Sequence, residues 1–144
     1  SIMQKRKDYY FSLLHLRNNI TIMTPHHGEF KRLFDVTGNK ILDSINAAKK
    51  SNSIIVYKGN DTIVASSERA ILNVNSSVYL ATAGSGDVLA GIIGGLLSQG
   101  MSALESASLA CYIHSESGIS LGIGLTAGDL IKEIPKTIKL IINK

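Results

Sequence analysis

The residues Ala81-Thr82-Ala83-Gly84-Ser85-Gly86-Asp87 bring a glycine-rich turn and a carboxylate to the start of a long apolar segment. Val88, Leu89, Ile92, Ile93, Leu96 and Leu97 fall at i, i+1, i+4, i+5, i+8 and i+9, the spacing of one apolar stripe on a helix running to about Gln99, with Gly100 as its stop. A helix start leaves N–H groups without intrahelical partners and carries partial positive charge. The amides of Gly84, Ser85 and Gly86 are therefore candidates to hold an anion, a phosphate first of all. Two familiar phosphate motifs are excluded by spacing. The dinucleotide fingerprint needs glycine or alanine where Leu89 stands, and a P-loop read from Gly86 and Gly91 needs lysine and a hydroxyl residue where Ile92 and Ile93 stand. A bare glycine turn is equally the mark of a helix packed close to a sheet, so other residues must decide.

Two further stretches carry chemistry-bearing side chains. Thr24-Pro25-His26-His27-Gly28-Glu29-Phe30 reads as a loop ahead of a short helix, and Lys58-Gly59-Asn60-Asp61-Thr62 as the end of a strand. Either imidazole can cap the following helix or meet a ligand. Glu29 suits the positive end of a helix, or alternatively the outer shell of a magnesium ion, and the first reading is preferred. Lys58 at a strand end can meet a phosphate, as any solvated surface lysine can. His114, on an otherwise apolar helix, reads as a core histidine.

These residues must be positioned by a chain of 144 residues with 44% hydrophobic composition and a net charge of +4, suited to one domain with a real core. The basic residues are spread over the N-terminal segment, Lys31/Arg32, Lys49/Lys50 and the C-terminus, with no aromatic-studded basic surface, which argues against nucleic acid as a partner. The single Cys111 in an apolar helical run reads as a buried hydrophobe in a reducing compartment, and a cytoplasmic location is expected. The apolar run 88–97 is well short of the ~20 residues a spanning helix needs, so no membrane association is expected and no secretory leader is visible.

Along the chain, residues 1–17 read as a helix and its approach, and residues 20–23 as a short buried strand ended by Thr24-Pro25. Phe30, Leu33 and Phe34 mark a short helix, and Ile41, Leu42, Ile45 and Ala48 another. Residues 53–57 are continuous and β-branched, a strand covered on both faces. Residues 62–65 and 70–74 form a hairpin, which after a buried strand predicts a mixed sheet. Residues 75–80 are irregular. Leu104, Ala107, Cys111, His114 and Gly118 share a helical face, residues 118–124 break the pattern, and Thr126 caps a last helix with Leu130, Ile131 and Ile134 that Pro135 ends or kinks. The order is that of an α/β domain with helices over a mostly parallel sheet, although four strands are few for that class.

Taken jointly, the Thr24–Phe30, Lys58–Thr62 and Ala81–Gly91 motifs resemble in order and spacing the ADP-dependent NAD(P)H-hydrate dehydratases of the ribokinase-like superfamily, and Ala127-Gly128-Asp129-Leu130-Ile131 is similar to that family's closing motif. The resemblance implies a ribokinase-like layered fold, of which residues 1–144 hold the C-terminal part. It implies a repair enzyme acting on hydrated NADH or NADPH, with ADP or ATP as phosphoryl donor and magnesium as companion ion. Asp87 is then the group facing the substrate hydroxyl, Gly84, Ser85 and Gly86 an anion hole, and His26 part of the hydrate site. Lys58, Gly59, Asn60, Asp61 and Thr62, with Gly86, line the adenine nucleotide, and no residue is assigned as a metal ligand. His27 stands where relatives often carry proline and is expected to be exposed and incidental. Tyr79 replaces a glycine of the family's turn near the site.

Because family members are longer, association with an N-terminal segment or homo-oligomerisation is expected to cover an open sheet edge. Two rival readings are a small-molecule kinase of the same superfamily, which would not need the Thr-Pro-His-x-Gly-Glu loop, and a nucleotide-binding remnant without turnover.

Overall fold

Four short strands form one sheet in the order β1-β2-β3-β4: β1 (Ile22–Met23), β2 (Ile54–Tyr57), β3 (Thr62–Ala65) and β4 (Ala70–Asn73). Helices α1 (Lys7–Leu16), α2 (His27–Leu33), α3 (Lys40–Ser51), α4 (Ser85–Ser98), α5 (Ala103–Leu121) and α6 (Ala127–Ile142) make up most of the rest. This is a computed structural model and it describes residues 6–75 and 77–143. The first residues of the expected 1–17 helix and position 76 of the irregular stretch lie outside the described residues. The chain packs as two compact units, one ending at Leu72 and the other beginning at Asn73.

In the first unit β1 pairs parallel with β2, Ile22 opposite Ile54 and Met23 opposite Ile55, while β2 pairs antiparallel with β3. The sheet is therefore mixed, as the hairpin predicts. Its turn is closed by Ser66, whose N–H donates to Arg69 O (2.9 Å) and whose Oγ accepts from the Glu68 and Arg69 amides (both 3.2 Å). Every residue of β2 and β3 is buried, which accounts for the unbroken β-branched pattern. Side chains alternate along a strand, so Ile55, Tyr57, Ile63 and Ala65 share a core with Phe11, Phe30, Phe34, Ala47 and Ala48. At its centre Phe30 stacks on Tyr57 with ring centroids 3.9 Å apart and tilts against Phe34 at 5.0 Å, and Phe34 in turn stacks on Phe11 at 5.3 Å.

Three expectations are corrected here. The first strand starts at Ile22, since β2 offers partners only from Ile54, and Ile20 is 60% exposed. Helix α2 begins at His27, so Gly28 and Glu29 are helical where a loop was expected; a reciprocal cap at His26 draws the helix back. In α3 the buried face is Asp43, Ser44, Ala47, Ala48 and Ser51, with Ile41 and Leu42 exposed. Asp43 is buried because it accepts hydrogen bonds from the amide and hydroxyl of Thr37, at 3.0 and 2.6 Å.

In the second unit α4, α5 and α6 pack on one another, and a short 3-10 turn, Val78–Leu80, packs on α5. Helix α5 is buried on several sides, as its small residues predict, and it runs through Gly118 to Leu121. Burial pushes the Cys111 thiol up to about 12, so it stays un-ionised. Helix α6 also continues through Pro135, at the cost of one intrahelical bond. Its contacts with α5 hold it on both sides of the proline, Ser120 Oγ donating to Glu133 Oε1 (2.9 Å) and Ser117 Oγ lying 2.9 Å from Thr137 Oγ1. On this helix Leu130 is fully buried and its neighbour Ile131 is exposed.

Phe30→Ala removes the side chain at the centre of the aromatic stack and is expected to destabilise the first unit by about 3–5 kcal/mol, read as a lowered urea midpoint. A loss below about 1 kcal/mol on the same scale would mean that the stack is dispensable.

Candidate functional site

In the first unit the sequence-predicted residues gather at the carboxyl ends of the parallel pair β1 and β2, where open α/β sheets receive ligands. Lys58 N–H donates to Pro25 O (2.9 Å), and this bond ties the two loops together. His26 caps α2: its Nδ1 accepts from Glu29 N–H (3.2 Å), and Glu29 Oε2 accepts from His26 N–H (2.9 Å). Its ring is nonetheless 59% exposed. Glu29 is thus a helix-start charge, as preferred from sequence.

His27 is not incidental, although it is exposed. Its ring lies parallel to that of Tyr57, and its Nδ1 is hydrogen-bonded to the Tyr57 hydroxyl (2.6 Å). Burial, and then the carboxylates of Asp43 and Asp61, push the Tyr57 pKa up and keep that hydroxyl protonated.

The Lys58–Thr62 loop is folded on itself. Buried Thr62 donates its hydroxyl to Gly59 O (3.0 Å) and accepts from Gly59 N–H (3.3 Å). Lys58 is half-buried, and Gly59, Asn60 and Asp61 are exposed. Asp61 is held by a residue that sequence reasoning passed over, Lys40, whose Nζ donates to Asp61 Oδ1 (2.6 Å) and to Asp61 O (2.5 Å) while lying 4.7 Å from the centre of the Tyr57 ring. The signal for Lys40 was present: a lysine directly after the Asn39 cap opposes the helix dipole and calls for another reason to be there.

In the second unit the glycine turn stands where it was expected. Gly84 is the N-cap of α4 at φ +82°, a conformation that L side chains rarely adopt, and a Cβ there would come within 3.0 Å of Ala127 Cβ. The start of α6, and with it Ala127-Gly128-Asp129, is thereby drawn against the turn. Helices α2, α3, α5 and α6 are each capped by a side chain, of His26, Asn39, Ser102 and Thr126 respectively, whereas α4 has no side-chain cap. Ser85 N–H is taken by Thr82 O (3.3 Å) and Asp87 N–H by Gly84 O (3.1 Å). Among the described residues the amides of Gly84 and Gly86 have no partner. Of the three amides the sequence singled out, only those of Gly84 and Gly86 are left over, because the Ser85 amide is engaged.

The Ser85 side chain is also turned inward. It is buried, with Oγ 3.0 Å from His114 Nε2, and the same nitrogen lies 3.0 Å from Ser85 O. His114 is the core histidine expected, and it braces the turn from beneath. Asp87 is exposed beside the free Gly86 amide, and Tyr79 sits half-exposed in the 3-10 turn.

The family model described as NAD(P)H-hydrate dehydratase matches residues 3–139. The chain belongs to the NAD(P)H-hydrate dehydratase family. It is 38% identical over 131 residues to the ADP-dependent (S)-NAD(P)H-hydrate dehydratase of Neisseria meningitidis serogroup B, covering 85% of this chain and 44% of that protein. The same-named protein of Cenarchaeum symbiosum is 34% identical over 128 residues, covering 82% of this chain and 44% of the relative. Among solved structures, the ADP/ATP-dependent NAD(P)H-hydrate dehydratase of Bacillus subtilis co-crystallised with ATP and Mg2+ superposes with a TM-score of 0.77 at 28% identity, over 85% of this chain and 48% of that one. A ribokinase-like superfamily protein of Enterococcus faecalis gives 0.74 at 26% identity, over 90% of this chain and 49% of that one. The fold is ribokinase-like, and the chain spans about half the length of these relatives or a little less.

Gly84→Ala forces a side chain into a left-handed backbone and against Ala127, and is expected to cost about 1–3 kcal/mol of stability in the second unit, measured by chemical denaturation. In the first unit the Lys40 hydrogen bond pulls the Asp61 pKa down. A depressed carboxylate contributes stability that is present above its unfolded pKa and lost as pH falls through the lower folded value. Replacing Lys40 by methionine should move the Asp61 titration midpoint upward in a carbon-detected NMR titration, and an unmoved midpoint would assign the depression to another cause.

Proposed function

We propose that this chain carries the nucleotide- and substrate-handling portion of an ADP-dependent NAD(P)H-hydrate dehydratase, which transfers a phosphoryl group from ADP to the hydroxyl of hydrated NADH or NADPH. Elimination of that phosphate then restores the nicotinamide ring, leaving AMP and inorganic phosphate. The observation that supports this reading most is the uncapped start of α4, where the unpartnered Gly86 amide stands next to the exposed carboxylate of Asp87.

Phosphoryl transfer through a loose transition state needs alignment and charge neutralisation more than a strong base. In this reading the Gly84 and Gly86 amides neutralise charge on the transferred group, a task suited to preorganised main-chain donors. Asp87 accepts the hydrogen bond of the substrate hydroxyl and aims its oxygen at phosphorus. Ser85 serves the turn from inside, through His114. The Lys58–Thr62 loop receives the adenine nucleotide, and the exposed His26 ring faces the hydrate.

A magnesium ion adds charge neutralisation when it arrives with a nucleotide. Among the described residues no three His, Cys, Asp or Glu side chains converge, so the donor set suits an ion carried on the nucleotide's phosphates and water, as magnesium commonly is. No described helix is long and apolar enough to cross a membrane, and a cytoplasmic enzyme working with a further segment or a second copy is the reading adopted.

Asp87→Asn keeps the shape of the side chain and removes its charge. It is expected to lower ADP-dependent recovery of nicotinamide absorbance from the hydrate by at least about 10²-fold while calorimetric ADP affinity changes little. Turnover near the unmodified level in a folded Asp87→Asn protein would remove Asp87 from the chemistry.

A further inference from the structure

We infer that Lys40 is a positioning residue, fixing the Lys58–Thr62 loop in its nucleotide-receiving shape by lodging its ammonium where a side chain at position 59 would stand. The inference rests on the nucleotide reading of that loop given above.

Three observations carry it. A Cβ built on Gly59 would lie 2.8 Å from Lys40 Nζ, so the ammonium fills the space that a residue other than glycine would need. The same nitrogen grips the next turn of the loop twice, at the carboxylate and at the main-chain carbonyl of Asp61. Beneath it lies the face of Tyr57, itself pinned by Phe30 at 3.9 Å on the core side and by His27 at its hydroxyl. Lysine, glycine and aspartate therefore form one interlocked unit on a rigid aromatic floor.

Helix stability does not explain Lys40. As the first residue of α3 its positive charge faces the positive end of the helix dipole. The ion pair does not repay this through global stability either: the Asp61 side chain is 64% exposed, and such pairs contribute little. What the contact can do is narrow the loop's conformations, and binding to a pre-shaped loop avoids the cost of ordering it.

The occupancy of position 59 supplies the test. A methyl group at 59 requires the ammonium to shift from the place where it holds Asp61, so Gly59→Ala and Lys40→Met disturb the same contact by different routes. In the full chain, each variant is expected to weaken calorimetric ADP affinity by on the order of tenfold. The double variant should be no weaker than either single one, because the contact can be lost only once. Amide hydrogen exchange at residues 59–62 should accelerate in all three, with the thermal midpoint nearly unchanged. Lys49→Met, on the exposed far end of the same helix, removes equal charge and controls for general attraction of an anion.

Additive losses in the double variant would overturn the inference. So would unchanged exchange in Lys40→Met, or an equal loss of ADP affinity in Lys49→Met. If the unmodified chain binds no ADP, the nucleotide reading of the loop fails, and the exchange measurements alone then judge Lys40.

Discussion

A backbone N–H that finds no acceptor inside the protein is the constraint on which the second unit turns. At the start of α4 the turn from Thr82 to Val88 satisfies the amides of Ser85, Asp87 and Val88 and leaves those of Gly84 and Gly86 over. The other capped helices spend a side chain on this problem; α4 spends none, because its cap residue is a glycine at positive φ with no side chain to offer. Unpartnered donors at a helix start favour an acceptor that carries negative charge. Everything nearby then has the task of keeping the turn in shape: Ala127 fills the space beside Gly84, and His114 holds Ser85 by both its hydroxyl and its carbonyl.

The first unit solves a different problem with different means. Two loops at the ends of parallel strands would be independently mobile if only their own turns held them. Here Tyr57, the last residue of β2, is shared: His27, the first residue of α2 after one loop, bonds its hydroxyl, and Lys40 covers its ring while holding Asp61 of the other. The buried aromatic stack through Phe30, Phe34 and Phe11 passes core rigidity outward to that ring. A motif that looks in sequence like a row of ligand-facing residues is therefore partly self-supporting. His26 and Glu29 cap a helix, Thr62 closes Gly59, and only some of the atoms remain for a ligand.

The positions of the glycine turn, the buried strand, the hairpin and the long helices were legible in the sequence, because each depends on local patterning: a β-branched run, a turn of serines, apolar spacing at 3.6 residues. The family was legible because three motifs occur in register. What could not be read were features decided by partners distant in the chain. The α3 face was misjudged because Asp43, buried on account of Thr37, looks like a surface residue, while Ile41 and Leu42 look like core. Pro135 looked like an end or a kink because the contacts of Glu133 and Thr137 with α5 that carry α6 past it lie outside the local pattern. Tyr57 was missed for the same reason, being 30 residues from His27; for Lys40 the unfavourable place at the helix start was visible, but not its partner Asp61, 21 residues away.

The two kinds of arrangement tolerate change differently. A turn that leaves main-chain amides over asks the sequence for permission to adopt a conformation, a glycine at the cap and small residues where α6 approaches, and places few demands on the helix beyond its first turn. A surface made of interlocked side chains asks for particular pairs, so that altering Lys40 alters what Gly59 is for. The second unit can drift in composition while its turn persists. The first is expected to change by coupled steps, since a side chain at position 59 requires the Lys40 ammonium to shift, and that shift bears directly on how Asp61 is held.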